Sequence, residues 1–199
     1  MTNPPILTRD FYQRTTEEVA MDRLGKVLVR RDSGGIVRVR LTEVEAYLGV
    51  EDPACHTYRG RRTARTETMW GEAGFSYVYL VYGIHHCLNV VTVGPGDPQA
   101  VLVRCAVVEE GTDLVRRRRG RRVARRALTD GPGKLCQALG VTRIDDGVDL
   151  TARDSGLTIC DDGVRIDRAR VRRLPRVGVE YAGEAAAWPL RFRAANPPG

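Results

Sequence analysis

Lysine is nearly missing from this chain: of 32 basic residues only Lys26 and Lys134 are lysines, and the rest are arginines. Against 25 acidic residues this leaves a formal net charge of +7. A basic domain invites a polyanion, nucleic acid first, and arginine suits phosphate because its planar fork bonds two oxygens at once. A coding bias toward arginine gives the same composition. Long apolar runs are missing too. No stretch approaches the roughly 18 apolar residues of a membrane span, and Met1 to Asp10 lacks a basic region followed by an apolar run. Membrane insertion and secretion are therefore disfavoured. The five cysteines, Cys55, Cys87, Cys105, Cys136 and Cys160, form no CxxC pair and fit reduced thiols in a cytoplasmic protein. Cys87, Cys105 and Cys136 have apolar neighbours and are expected in the core. The three histidines, His56, His85 and His86, make no HExxH and no Cys/His cluster, so no metal site is expected. A P-loop, a G-x-G-x-x-G after a strand and a G-x-S-x-G elbow are all absent, which argues against the chemistries built on them.

What is present fits one folded domain of 199 residues, 42% of them hydrophobic. Phe11 to Leu24 reads as a helix with Thr8 as a candidate N-cap and Gly25 as its end. Val27–Arg31 and Ile36–Ala46 read as strands joined by the turn Asp32-Ser33-Gly34-Gly35. Residues 49–74 are polar and aperiodic, the mark of a long ordered loop. Ser76 to Val93 is the most strand-like segment, with a corner at Tyr82-Gly83. Gly94 to Pro98 is a turn, Ala100–Val108 a strand, Gly111–Leu128 a charged helical segment, and Pro132–Leu139 a short helix. Several short strands are expected between Gly156 and Phe192. Residues 1–6 and 194–199 are expected to be loose. The class is mixed α/β, one compact domain without repeats.

Four features carry candidate chemistry. Glu43, Glu45 and Tyr47 share one side of a strand; spacing alone fits a solvent-facing side better than a catalytic one. Tyr77 and Tyr79 share a face and Tyr82 sits at the corner, which fits either plain strand propensity or aromatic contact with bases. The arginine-rich stretch Leu114–Arg126 fits either a phosphate track or a solvated face. Gly131-Pro132-Gly133-Lys134 opens a helix whose first N–H groups, with the Lys134 charge, suit an anion.

Taken together these segments resemble the mammalian-type alkyladenine (3-methyladenine) DNA glycosylase family, here as a bacterial-type member. The resemblance rests on Glu-Val-Glu-Ala-Tyr-Leu-Gly (43–49), Glu-Asp-Pro-Ala-Cys-His (51–56), Tyr-Val-Tyr-Leu-Val-Tyr-Gly (77–83) leading to Asn89, and Gly-Pro-Gly-Lys-Leu-Cys-Gln-Ala-Leu (131–139). Leu102 to Arg104, Arg176 to Val179 and Pro189 to Phe192 extend it, in order, across residues 7 to 193. The family implies an α+β domain with a curved antiparallel sheet and a protruding β-hairpin, acting as a monomer without metal or other cofactor. It implies damaged purines in double-stranded DNA as substrate, a place in base excision repair, and a cytoplasmic, nucleoid-associated location. By the same resemblance Glu45 is the general base, Arg104 a second contact to the attacking water, and Tyr47, His56 and Tyr79 the pocket walls. Asn89 crowds the 2-amino group of normal guanine, Tyr82 is the wedge that enters DNA, and Gly131, Gly133 and Lys134 meet the DNA backbone. The base site holds a glutamate and residue 2 is Thr2 rather than proline, so no strand-cleaving lyase activity is expected. The loop reads Thr63-Ala-Arg-Thr66 where the family commonly has Thr-Pro-Arg-Asn, and the arginine run is denser than usual. A non-catalytic lesion-binding protein would need the pocket but not Glu45. A hydrolase of free or RNA-bound nucleosides would not need Tyr82.

Overall fold

Alternation of apolar and polar residues builds the first hairpin. Val37, Val39 and Leu41 are fully buried, and they lie on a 13-residue strand β2 (Gly35–Tyr47) paired antiparallel with β1 (Val27–Asp32). The Asp32 carboxylate accepts the Gly34 N–H at 2.8 Å and closes the turn. A computed structural model describes residues 4–195, and the remaining strands are β3 (Ser76–Val81), β4 (His85–Gly94), β5 (Asp97–Glu110), β6 (Leu157–Cys160), β7 (Val171–Leu174) and β8 (Arg191–Ala194). Their order is β3-β4-β5-β2-β1-β6, with every pairing antiparallel. β2 is the pivot. Its first half pairs with β1, while Glu43 to Glu45 pair with β8, which pairs in turn with β7. Three register shifts against β5 let it change partner and curl the sheet.

Among the described residues four α-helices pack around this sheet: α1 (Arg9–Tyr12), α2 (Thr16–Arg23), α3 (Thr112–Arg119) and α4 (Pro132–Leu139). Leu135, Cys136 and Leu139 of α4 join Val78, Leu88 and Val103 in one continuous core. The α+β class, the curved antiparallel sheet and the single compact domain are as the sequence implied.

Several boundaries differ. The helix expected from Phe11 to Leu24 is broken between Tyr12 and Thr16, because Thr15 is extended (ψ 141°) and Arg14 turns its guanidinium back onto the Phe11 carbonyl at 3.0 Å. Thr8 stands at the start of α1 without a side-chain capping bond, and Gly25, at φ +83°, ends α2. The charged segment Gly111–Leu128 is α-helical only to Arg119, since Gly120 at φ +112° turns the chain, and a 3-10 turn follows at Arg125–Ala127. Glu180–Ala187 is a kinked 3-10 segment between the short strands of the tail. Residues 49–74 are an ordered loop with three 3-10 turns.

The expectation of loose ends fails at 4–6 and 194–195. Ile6 bridges to Cys160, the Asp161 N–H reaches the Pro5 carbonyl at 2.8 Å, and Ala194 pairs with Val171. Residues 1–3, Thr2 among them, and 196–199 lie outside the described residues.

Candidate active site

The carboxylates of β2 do not face solvent. Val44 and Ala46 enter the core on one side, and on the other Glu43 is 4% and Glu45 0% exposed. The solvent-facing reading of this strand is thus overturned, because Arg191 and Arg193 of the paired β8 lie against Glu43 and the Val177 backbone lies against Glu45. Arg104 lies between the two acids. Glu43 faces Cys105 and Val44 faces Val103, so Arg104 is the extra residue of a bulge, the usual means of re-aiming one side chain out of a regular ladder. Its Nε donates to Glu43 Oε1 at 3.1 Å and its Nη1 lies 3.2 Å from Glu45 Oε1.

Glu45 also accepts two hydrogen bonds. The Val177 N–H bonds Oε1 at 2.9 Å, and the Tyr47 hydroxyl bonds Oε2 at 2.9 Å. Burial pushes the Glu45 carboxyl above its ordinary range, while Arg104, the Val177 amide and the Tyr47 hydroxyl pull it back. A carboxylate offers about four acceptor positions; Oε1 takes the Val177 amide and lies against Arg104, while Oε2 takes only the Tyr47 hydroxyl and keeps room for a further partner. Glu45 itself is sealed, but Arg104, Tyr47 and Val177, its three polar partners, all line a pocket of about 520 Å³.

The walls of that pocket are aromatic. Tyr47 comes from β2, Tyr77 and Tyr79 from β3, and His56 from the loop. Tyr77 and Tyr79 have ring centroids 5.4 Å apart, and His56 meets Tyr79 edge-on at 4.6 Å. His56 Nδ1 is 2.9 Å from the Tyr77 hydroxyl. Burial, then the Arg65 and Arg61 charges, hold the His56 imidazole down to about 4, so it is neutral at neutral pH. Asn89, 3% exposed, is fixed by its Nδ2 donating to the Tyr77 carbonyl at 3.1 Å and also lines the pocket. Such a slot accepts a planar ring beside a carboxylate able to take a proton.

The β3–β4 hairpin stands at the pocket mouth. Tyr82 and Gly83 have φ of +52° and +70°, and the Ile84 N–H closes on the Val81 carbonyl at 3.1 Å. Positive φ at both central positions matches the hairpin twist but strains a non-glycine residue. The result is Tyr82 90% exposed at the tip, beside Ile84 at 73%.

The α4 start holds Gly131, Gly133 and Lys134. Pro132 occupies its first turn, and a Cβ on Gly133 would lie 3.0 Å from His85 Cβ, so this glycine is where helix and hairpin touch. Lys134 is paired with Asp130 at 2.8 Å, both about half exposed, a contact of small net strength. The arginine run divides. Arg118 reaches Asp32 at 2.7 Å and Arg119 the Leu128 carbonyl at 3.1 Å, as tethers, whereas Arg117, Arg121, Arg122, Arg125 and Arg126 are exposed. Cys87 and Cys136 are buried as expected, but Cys105 is only half-buried, at the edge of the Arg104 bulge.

Sequence reasoning missed the support of Glu45. Asp52 and Arg176, both 0% exposed, form a two-bond pair, one bond being Nη2 to Oδ1 at 2.8 Å. Asp52 also accepts the Leu48 and Ala54 N–H groups, and Arg176 donates to the Ala46 carbonyl at 3.0 Å. This clamp fixes the backbone that presents Val177. Arg176 and Asp52 stood within matched segments, but neither spacing nor composition gave them a role. Glu43, which also accepts from Arg191 at 3.1 Å, was noted only for its strand side. Among the described residues no three His, Cys, Asp or Glu side chains converge to hold a metal ion, and no helix is long and apolar enough to cross a membrane.

Comparison with known proteins adds an independent line. The model of the methylpurine-DNA glycosylase (MPG) family matches residues 10–198. A protein of Bdellovibrio bacteriovorus, provisionally named a 3-methyladenine DNA glycosylase, is 45% identical over 187 residues, covering 94% of each chain. Similarly named proteins of Methanocella arvoryzae and Desulfitobacterium hafniense are 45% and 44% identical; they cover 98% and 94% of this chain and 94% and 93% of their own.

Proposed function

This chain belongs to the methylpurine-DNA glycosylase family, and from that premise we propose that it extrudes a damaged purine from duplex DNA and hydrolyses its glycosidic bond with a water activated by Glu45. The observation that carries this is the room for a further partner on Oε2 of a buried carboxylate whose three neighbours, Arg104, Tyr47 and Val177, line an aromatic pocket.

A base within a duplex is out of reach of Glu45, so it must leave the stack at a cost of a few kcal/mol. Tyr82, exposed at the hairpin tip, takes the vacated place; an aromatic stacked on bases contributes about 1–3 kcal/mol, enough to offset much of that cost. The extruded purine enters between Tyr47 on one side and His56 and Tyr79 on the other, with Asn89 crowding the 2-amino group of normal guanine. Purines of the 3-methyladenine, 7-methylguanine, hypoxanthine and ethenoadenine class fit this description.

In the hydrolytic step Glu45 takes a proton from water, the water oxygen bonds the sugar C1′, and the C1′–N bond breaks with its electron pair leaving on the purine. The products are the free base and an abasic site. Arg104 is the second contact to the water. A positioned base contributes about 10²–10⁴-fold, and the negative charge of Glu45 also stabilises the cationic character of the sugar. Gly131, Gly133 and Lys134 grip the DNA backbone, Lys134 exchanging Asp130 for phosphate. Water is the nucleophile, so no covalent enzyme–DNA adduct forms and no strand cleavage follows. The working unit is a monomer.

The test is release of free base from duplexes carrying ethenoadenine, hypoxanthine or 7-methylguanine. Wild type releases base, Glu45→Gln loses at least about 10²-fold in rate while still binding the lesion, and borohydride traps no adduct. Turnover by Glu45→Gln at the wild-type rate moves the base elsewhere. Tight binding without release by wild type identifies a shielding protein instead. Because Glu45 must be ionised to act and its pKa lies above the ordinary glutamate range, the rate falls on the acid side with a midpoint above that range.

A further inference from the structure

We propose that Arg65 is a specificity-determining gate of the base pocket, which lowers the advantage that an open aromatic slot gives to cationic purines over neutral ones; this rests on the glycosylase reading above. The Arg65 guanidinium lies over the Tyr79 ring, 5.0 Å from its centroid, and lines the same pocket. Its charge is felt throughout the slot: after burial it is the first cause that lowers His56, and it draws down the Tyr77 and Tyr79 hydroxyls.

The placement of Arg65 is built into the loop. The Thr66 N–H bonds the Thr63 carbonyl at 2.9 Å, the Thr63 N–H bonds Thr66 Oγ1 at 2.9 Å, and Thr66 is 3% exposed. This turn is anchored by Thr66 and leaves Arg65 exposed above Tyr79.

A second arginine shows why Arg65 matters. Arg176 lies over the Tyr47 ring at 4.8 Å, but its charge is cancelled by Asp52 and it does not line the pocket. On the same loop Arg62 is paired with Glu67 at 2.5 Å. Arg65 has no carboxylate partner among the described residues, so its positive charge is uncompensated where a substrate ring must stack. The negative face of an aromatic ring attracts one cation. Alkylation at N7 of guanine makes the base a cation, whereas hypoxanthine is neutral. A cationic purine must therefore compete with Arg65 for Tyr79 and meets its repulsion, while a neutral purine meets a planar guanidinium as a further stacking surface.

The experiment uses the full chain and duplexes that carry either 7-methylguanine or hypoxanthine. Affinity and kcat/KM are measured for wild type, Arg65→Gln and Arg65→Lys. The ratio of the cationic to the neutral substrate rises roughly tenfold in Arg65→Gln, the scale of one cation–π contact, and rises less in Arg65→Lys, which keeps the charge but not the planar surface. A uniform loss on both substrates, with a salt dependence shallower by about one counterion, makes Arg65 a phosphate contact and overturns the gate. An unchanged or falling ratio overturns it as well. The affinity ratio reads the gate even where no base is released, so loss of the hydrolytic reading and loss of the gate give different results.

Discussion

His56 illustrates how much of a site residue's behaviour lies outside the residue. The sequence offered an imidazole with an ordinary value near 6.5; burial and the Arg65 and Arg61 charges bring it to about 4. The folded value is below the unfolded one, so the folded state binds fewer protons in this range. Stability from this group is complete above about pH 6.5 and is lost as pH falls toward 4. Proton NMR of the imidazole should show a midpoint near 4, and base release should show no inflection near 6.5; a midpoint near 6.5 removes the neutral-wall role. The identities of Glu45, Tyr47 and His56 were legible in the sequence. Their ionisation states were not, since each depends first on burial and then on groups that the fold brings up, as Glu45 does on Val177.

At the scale of elements, the hairpin was the most legible part. Tyr82-Gly83 between two strand-like runs specified a tight turn, and the structure puts Tyr82 at its tip with a strained backbone. Because Tyr82 is 90% exposed, Tyr82→Ser should leave thermal stability within about 0.5 kcal/mol. It should weaken binding to a lesion-bearing duplex by roughly tenfold or more, the scale of one stacked base. Unchanged lesion affinity in a binding titration would take the wedge role from Tyr82. The helix boundaries were harder. Phe11 to Leu24 has the composition of one helix, yet Tyr12 is buried against the core and the chain breaks after it to let α2 bury Val19 and Ala20. Local propensity differs between such alternatives by less than tertiary burial does. The arginine run likewise read as one feature, but Arg118 and Arg119 tie α3 to β1 and to the chain after it, while Arg121 and Arg122 face solvent.

At the scale of the molecule, the site exists because β2 changes partner from β1 to β8 along its length. That exchange brings the Pro175–Val179 segment over Glu45 and is held by the buried Asp52–Arg176 pair. Removing one member leaves the other charge buried and unpaired, a loss of about 3–5 kcal/mol. Asp52→Asn should therefore lower the unfolding free energy by that amount in denaturant titrations. It should also slow base release more than it weakens lesion binding, since Val177 no longer holds Glu45. A loss under about 1 kcal/mol would mean that water reaches Arg176 and the clamp is not closed. The sequence by itself determined the strand pattern, the hairpin, the helix opened by Gly131-Pro132-Gly133 and the family, because these are written in local periodicity, turn chemistry and ordered motifs. Only the tertiary structure decided that Glu43 and Glu45 are buried rather than solvent-facing, that Arg104 is turned onto them by a bulge, and that Arg65 overhangs Tyr79. The physical reason is that strand spacing fixes which side a residue takes, while what covers that side comes from segments distant in the chain.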